Sequence, residues 1–217
     1  MKKALVIGGT GATGSQLIKQ LLISKHFDKV TSIGRAPVLN NEKNIKLQDI
    51  VIRSLYNLSD TIGYWEGHDV FFNCIGTTRK RAKSAHNFIQ IEEGISMEAA
   101  KYASKAKIPH ASIISAAGAN ANQWAHKWIH PLLYMQTMGK KEQTVINSNF
   151  DRVSIFRPGL LIRLQRTSFL ENFIAKQGFG LRVDDLASAM INDVNNNNTN
   201  SAINYYYNND IKDLNSM

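Results

Sequence analysis

A doubly wound parallel α/β sheet is the fold class this sequence predicts, on three observations. Short apolar runs alternate with longer amphipathic segments as far as Phe156, the pattern of parallel strands joined by crossover helices. The turn Gly8-Gly9-Thr10-Gly11-Ala12-Thr13-Gly14 lies between the first strand-like run and the first helix-like one, the setting in which glycines cradle phosphate. The 217 residues, 43% hydrophobic and 20% charged, suffice for one large domain with a sizeable core. The expectation is a single Rossmann-type domain over residues 1–217, with residues 160–217 contributing a small lobe at a substrate cleft.

In chain order, the expected strands are Ala4–Ile7, Val30–Ile33, Ile45–Leu47, Val70–Ile75, Ala111–Ile114 and Val153–Phe156, with Ile203–Tyr207 as the last. Leu17, Ile18, Leu21 and Leu22 form an apolar stripe on the first helix, with Lys19 and Gln20 facing away. A second helix is expected over Asn87–Lys105. Pro131 breaks or begins the next, so Leu132–Ser148 forms a separate helix after a loop rich in Trp and His. Leu161–Gly180 is read as the small lobe. Asp184-Asp185-Leu186 caps a helix ending near Val194, and the Asn195–Asn200 tract is a loop, because asparagine tolerates left-handed backbone.

The composition excludes several classes. Cys74 is the only cysteine, so there is no internal disulfide and no cysteine cage for a metal; in its apolar run the thiol is a small hydrophobe. His126 and His130 stand four apart beside Trp124 and Trp128, but no third ligand accompanies them, so a partly buried aromatic cluster is expected and no metal site. The apolar run after Met1-Lys2-Lys3 stops at Gly8, short of the roughly 7–15 residues of a secretory signal. No stretch approaches the ~20 apolar residues of a membrane span. A cytoplasmic chain without a membrane partner is therefore expected. The formal charge of +9 attracts phosphate groups in general. Its densest run, Arg79, Lys80, Arg81 and Lys83, is read as a solvated basic face; no nucleic-acid motif accompanies it, and no specific nucleic acid is expected. A protein partner or a homodimer stays open.

The glycine turn carries the strongest chemical signal. It overlays two patterns, Gly8-x-x-Gly11-x-x-Gly14 and Gly9-x-Gly11-x-x-Gly14. The first glycine permits the tight turn, the middle one lets a pyrophosphate approach the backbone, and the last lets helix and strand pack closely. The phosphates would rest on the free N–H groups at the helix start, so Gly8, Thr10, Gly11, Ala12, Thr13 and Gly14 are candidate cofactor-binding residues. Past the second strand, where a carboxylate would mark NAD, stands Gly34-Arg35. A guanidinium suits a ribose 2′-phosphate, so NADP(H) is the expected cofactor; the alternative is an Arg35 that merely points into solvent.

With Ile33-Gly34-Arg35, His68-Asp69-Val70, Gly76-Thr77-Thr78, Phe156-Arg157-Pro158-Gly159 and Val183-Asp184-Asp185-Leu186 added in order, the chain resembles the atypical short-chain dehydrogenase/reductases, in their Tat-interacting-protein-like oxidoreductase branch, over about residues 3–215. The resemblance implies that Asp49, with Ile50, lies near the adenine, that Gly76, Thr77 and Thr78 border the adenosine ribose and pyrophosphate, and that Pro158 belongs to the cofactor-binding set. It also implies a tyrosine that protonates a carbonyl as hydride arrives, a lysine four residues on that lowers the tyrosine pKa, and a serine that orients the carbonyl. Tyr134 and Ser115 match two of these. The lysine position holds Met138, which has no charge, and the second serine of the relatives is Ala116. Lys141, one helical repeat beyond Tyr134, returns to its face but about 10 Å along the axis. Two functions stay open: an NADP(H)-binding oxidoreductase acting on a small carbonyl substrate with an incomplete catalytic set, and a non-catalytic NADPH-binding redox-sensing or regulatory protein.

Overall fold

The computed structural model describes residues 1–39, 43–126, 130–162, 180–196 and 201–216. Among these residues seven strands form one parallel sheet: β1 (Lys2–Ile7), β2 (Phe27–Gly34), β3 (Leu47–Val51), β4 (Val70–Asn73), β5 (His110–Ile114), β6 (Arg152–Phe156) and β9 (Ile203–Tyr206). Their order across the sheet is β3-β2-β1-β4-β5-β6-β9, so the order in which strands are added reverses between β1 and β4. A crevice opens beyond the strand ends at such a switch point. The fold is therefore the Rossmann-like α/β class expected. Two short strands, β7 (Leu160–Ile162) and β8 (Gly180–Arg182), pair separately; most of the predicted Leu161–Gly180 lobe lies outside the described residues.

Alternation along each strand divides the core into two layers. Ala4, Val6, Val30, Val70 and Phe72 face α1 (Ala12–Ile23), which buries Leu17, Ile18 and Leu21, and α6 (Val183–Asn195), which buries Leu186, Ala187 and Met190. Leu5, Ile7, Ile33, Phe71, Ile113 and Ile155 face the other side, against Trp65 and the helix α4 (Ile95–Lys105) with Ala99, Ala100 and Ala103. Strands buried on both faces are what a parallel sheet requires.

Several expectations shift. The third strand is Leu47–Val51, not Ile45–Leu47: Leu47 pairs with Val30, whereas Ile45 is fully exposed. The single helix expected over Asn87–Lys105 is α3 (Ala85–Ile89), a π turn (Gln90–Gly94) and then α4. The short helix α2 (Arg79–Ala82) and the last helix α7 (Asn208–Leu214), which follows β9, were not anticipated. The helix around Pro131 begins at His130 and runs to Ile146 as α5. The two aspartates do not cap α6: its N-cap is Arg182, which forks onto Asp184 in the first turn. Asn195 closes that helix, and residues 197–200 of the asparagine tract lie outside the described residues.

At the strand ends away from the crevice, Asp193 of α6 is fully buried. It accepts from Tyr206 at 2.5 Å and from Arg152, and lies 3.6 Å from Nε2 of His110, which itself contacts Ser154 Oγ at 2.9 Å. Burial pushes the Asp193 carboxyl up and drives His110 down to about 3, so the imidazole is neutral.

Candidate functional site

β1 ends at Ile7, and the chain turns at once through Gly8, whose φ of +76° suits glycine. An added Cβ there would stand 2.6 Å from the Cys74 backbone, so the turn lies directly against the exit of β4. At Gly14 a Cβ would meet the Gly8 carbonyl oxygen at 2.2 Å: the last glycine brings α1 onto the turn, as expected. Between them the Gly11 amide donates to Gly8 O at 2.9 Å. Gly11 is the N-cap of α1, has no side-chain capping bond, and is followed by no acidic residue in the first turn. The helix start therefore offers free N–H groups and its positive dipole end.

That helix start opens into a cleft of about 740 Å³. The glycine turn contributes Thr10, Gly11, Ala12 and Thr13; the β4 exit contributes Cys74 and Gly76, Thr77 and Thr78; β5 and α5 contribute Ser115, Tyr134 and Met138. Gly159, Leu160, Leu161 and Val183 close one wall. One cavity thus brings together the expected phosphate-binding turn and the expected proton donor. Arg79 and Arg81 also line it, so the basic run is not only a solvated face.

Other expected residues sit elsewhere. Asp49 and Ile50, on β3, pair with Ser32 and Ile33 of β2, two strands away from β1 and its glycine turn. Oδ2 of Asp49 accepts from Val38 N at 2.8 Å, while Oδ1 is buried without a hydrogen-bond partner. A free acceptor there fits an adenine amino group. Arg35, one residue past β2, is exposed and outside the cleft. Pro158 is buried, its carbonyl accepting from Ala117 N at 2.9 Å; Gly159 reaches the cleft in its place.

The acid–base set departs further from expectation. Burial pushes the Tyr134 phenol up to about 12, and the Glu92 carboxylate adds to the rise. Met138 is buried with Ala116 and Ala119 beside Tyr134 and supplies no opposing charge. Lys141 does not stand in for it. Its Nζ is fully buried, donating to Ile75 O at 2.8 Å and pairing with Glu92 at 3.3 Å. Ser115 donates its hydroxyl proton to Glu142, which leaves only acceptor capacity toward the cleft, not the donor that would orient a carbonyl. Glu142 is gripped by Arg157, Nε at 2.9 Å and Nη2 at 2.6 Å, and Arg157 lies over the Tyr205 ring at 4.4 Å. Arg157 is thereby committed to the strand end, and the ion pair raises its already high pKa.

Sequence reasoning missed Glu92 and Glu142, and named His130 only as part of an aromatic cluster. An acid on the buried face of a helix was the available signal for the first two. His130 stacks on Tyr134 (6.3 Å between ring centres) and meets Phe88 at a tilt (5.8 Å, 56° between planes), with Nε2 buried and unpartnered. Of the rest of the expected aromatic cluster, Trp124 and His126 meet ring to ring at 6.5 Å in a loop where Trp124 is 67% exposed, and Trp128 is outside the described residues. Among the described residues no group of metal-ligating side chains is found. Cys74, with its thiol pushed up to about 12 by burial, is a packed hydrophobe on the cleft floor.

Comparison with known proteins agrees with this geometry. A family model described as NAD(P)H-binding matches residues 8–197. The rat Protein HTATIP2 is 31% identical over 187 residues, covering 86% of this chain and 74% of the relative. Protein FMP52, mitochondrial, of Debaryomyces hansenii is 34% identical over 166 residues, covering 76% and 69%. Among solved structures, UDP-glucuronic acid 4-epimerase from Bacillus cereus in complex with NAD superposes with a TM-score of 0.71 at 14% identity, over 94% of this chain and 76% of that one. MoeE5 in complex with UDP-glucose and NAD gives 0.71 at 14%, over 94% and 75%; both show the shared fold. The cytoplasmic expectation is corrected: the yeast FMP52 relatives are named mitochondrial. Composition describes what a chain can fold into and carries little of its address. Among the described residues no helix is long and apolar enough to cross a membrane.

Proposed function

This chain belongs to the NAD(P)H-binding family, and on that premise we propose that it is an NADP(H)-binding reductase acting on a small carbonyl compound, with Tyr134 as proton donor. One observation carries the proposal: the uncapped start of α1 and the Tyr134 ring line the same cleft. The reduced nicotinamide, when bound, supplies a hydride. The residues of this chain supply the rest. Gly8, Thr10, Gly11, Ala12, Thr13 and Gly14 hold the pyrophosphate, with Gly76, Thr77 and Thr78 opposite. Asp49 and Ile50 take the adenine, Arg35 the 2′-phosphate, and residues 160–217 supply the substrate wall through Leu160, Leu161 and Val183. A phenol with its pKa near 12 stays protonated at neutral pH, which suits donation to a carbonyl oxygen rather than abstraction from an alcohol.

Arg35→Ala tests the cofactor. Titrating NADPH and NADH by intrinsic fluorescence is expected to show NADPH at least about tenfold tighter in the wild type, roughly 1.4 kcal/mol. The preference should vanish in Arg35→Ala with NADH affinity unchanged. Equal affinities in the wild type would remove the NADP(H) assignment.

A specific set of observations favours a second reading, a non-catalytic NADPH-binding redox sensor or regulator. Met138 brings no charge to Tyr134, and the proton of Ser115 is committed to Glu142. Met138→Lys separates the two in an assay of NADPH consumption with aldehydes and quinones. A lysine beside the phenol lowers its pKa and stabilises the phenolate left after donation. Turnover is expected to rise by about tenfold or more, toward the roughly 10²–10⁴-fold that positioned acid–base groups supply. No consumption by either protein, with NADPH still bound, would favour the sensor.

A further inference from the structure

Below the rim of the cleft lies a buried ion pair that neither the phosphate-binding turn nor the proton donor accounts for. Lys141 on α5 is fully buried and Glu92 is 2% exposed, on the π turn between α3 and α4. The π turn directs Glu92 inward while Glu93 beside it is only half-buried. Besides pairing with each other at 3.3 Å, the two side chains hold the chain that leaves β4 at two nearby points. Lys141 Nζ donates to the Ile75 carbonyl at 2.8 Å. Glu92 Oε1 accepts the Thr77 amide proton at 2.6 Å. Between these points, a Cβ on Gly76 would stand 3.7 Å from the same Glu92 oxygen, so the carboxylate packs directly beneath the glycine.

Taking two charges out of water costs several kcal/mol per ion before their attraction offsets it, and apolar side chains of similar size often stabilise as well or better. Filling volume is therefore a poor reason for this pair. What apolar residues cannot supply is a donor for Ile75 O together with an acceptor for Thr77 N. Those two bonds define the path of Gly76, Thr77 and Thr78, which line the cleft opposite the α1 start.

We propose that Lys141 and Glu92 are a positioning pair for the dinucleotide, preforming the Ile75–Thr77 loop from beneath in the shape the cofactor meets. The inference rests on the reading of this cleft as a dinucleotide site. Both residues act through the loop backbone, and neither is a catalytic group. A loop held in its binding shape before the ligand arrives spares the cost of ordering it on binding, and that is where the effect on affinity arises. The same geometry explains why Lys141, though on the Tyr134 side of α5, leaves the phenol without a cation.

Two measurements test this. In the cofactor-free wild type, hydrogen exchange at the Thr77 amide is expected to be slowed by about a hundredfold or more relative to an unprotected amide, since its partner is a buried carboxylate. In the double variant Glu92→Leu/Lys141→Met, which removes both charges, NADPH Kd is expected to rise at least about tenfold. Glu92→Gln/Lys141→Met keeps an acceptor for Thr77 N and should recover part of that loss. A pair that only fills space would not produce this rescue. Free exchange at Thr77 in the wild type overturns the proposal, as does an apolar variant that binds NADPH within about twofold of wild type. The exchange measurement needs no variant and decides even if the apolar pair fails to fold. A wild type that binds neither nucleotide overturns the cofactor reading and this proposal with it. Continued protection of Thr77 then shows that the fault lies with the ligand and not with the pair.

Discussion

Gly14→Ala is expected to abolish measurable dinucleotide binding and to destabilise the fold. The added methyl would stand 2.2 Å from the Gly8 carbonyl oxygen, 2.9 Å from the Gly8 carbonyl carbon and 3.0 Å from Gly9 Cα. All three are backbone atoms, so no side chain can rotate away, and α1 must retreat from the turn. Overpacking of this kind costs about 1–3 kcal/mol and occasionally more. The functional loss is larger in proportion, because the N–H groups that would meet phosphate sit on the displaced helix start. A misplacement of about 1 Å can cost on the order of 100-fold. Thermal melts and NADPH titration of Gly14→Ala, set beside Gly63→Ala, check this. Gly63 is the control, since an added Cβ there meets nothing within 4 Å. Near-wild-type NADPH affinity in Gly14→Ala would mean that the phosphates do not rest on this helix.

The second large effect is expected far from the cleft. Asp193→Ala should destabilise the protein by about 3–5 kcal/mol, the usual cost of removing one partner from a buried ion pair. Asp193 is the shared acceptor for Arg152, on β6, and Tyr206, on β9, so its loss takes the acceptor from a phenol and leaves the guanidinium only the backbone carbonyls of Asp193 and Asn196. Burial already holds its carboxyl above the usual range, against the opposing pull of Tyr206, Ser154 and Arg152. Ionised or not, the group is useful as an acceptor, and Asp193→Asn, which retains one, should cost less. Urea unfolding of both variants checks the order. A loss below about 1 kcal/mol for Asp193→Ala would show that water replaces the carboxylate. NADPH affinity at temperatures where the variant stays folded should be unaffected, since Asp193, Arg152 and His110 gather at the starts of β5 and β6 and none of them lines the cleft.

Much of this protein follows from sequence alone, because the chemistry involved is local. Short apolar runs at Ala4–Ile7 and Val153–Phe156 declare strands. Three glycines at fixed spacing declare a turn, and the structure assigns the first and last their expected tasks through a φ of +76° at Gly8 and a 2.2 Å approach at Gly14. Tyr134 and Met138 were placed together by one helical turn, and they do lie together against Ala116 and Ala119. The third strand was displaced because apolar character cannot say which residues find a hydrogen-bonding neighbour; Leu47 finds Val30 and Ile45 finds water.

Only the tertiary structure decided what the polar residues of the cleft are occupied with. Ser115 gives its proton to Glu142, 27 residues away; Lys141 is claimed by Glu92, 49 residues away, and by Ile75, 66 residues away. A hydroxyl or an ammonium has the same identity in the sequence whether it faces a ligand or a buried carboxylate. Periodicity reports the face of an element on which a residue lies, but a hydrogen bond depends on another element arriving within about 3 Å. That arrival is set by packing of the whole sheet and its helices, and it assigns this cleft a protonated tyrosine, a serine already engaged, and a lysine bound to the loop beneath.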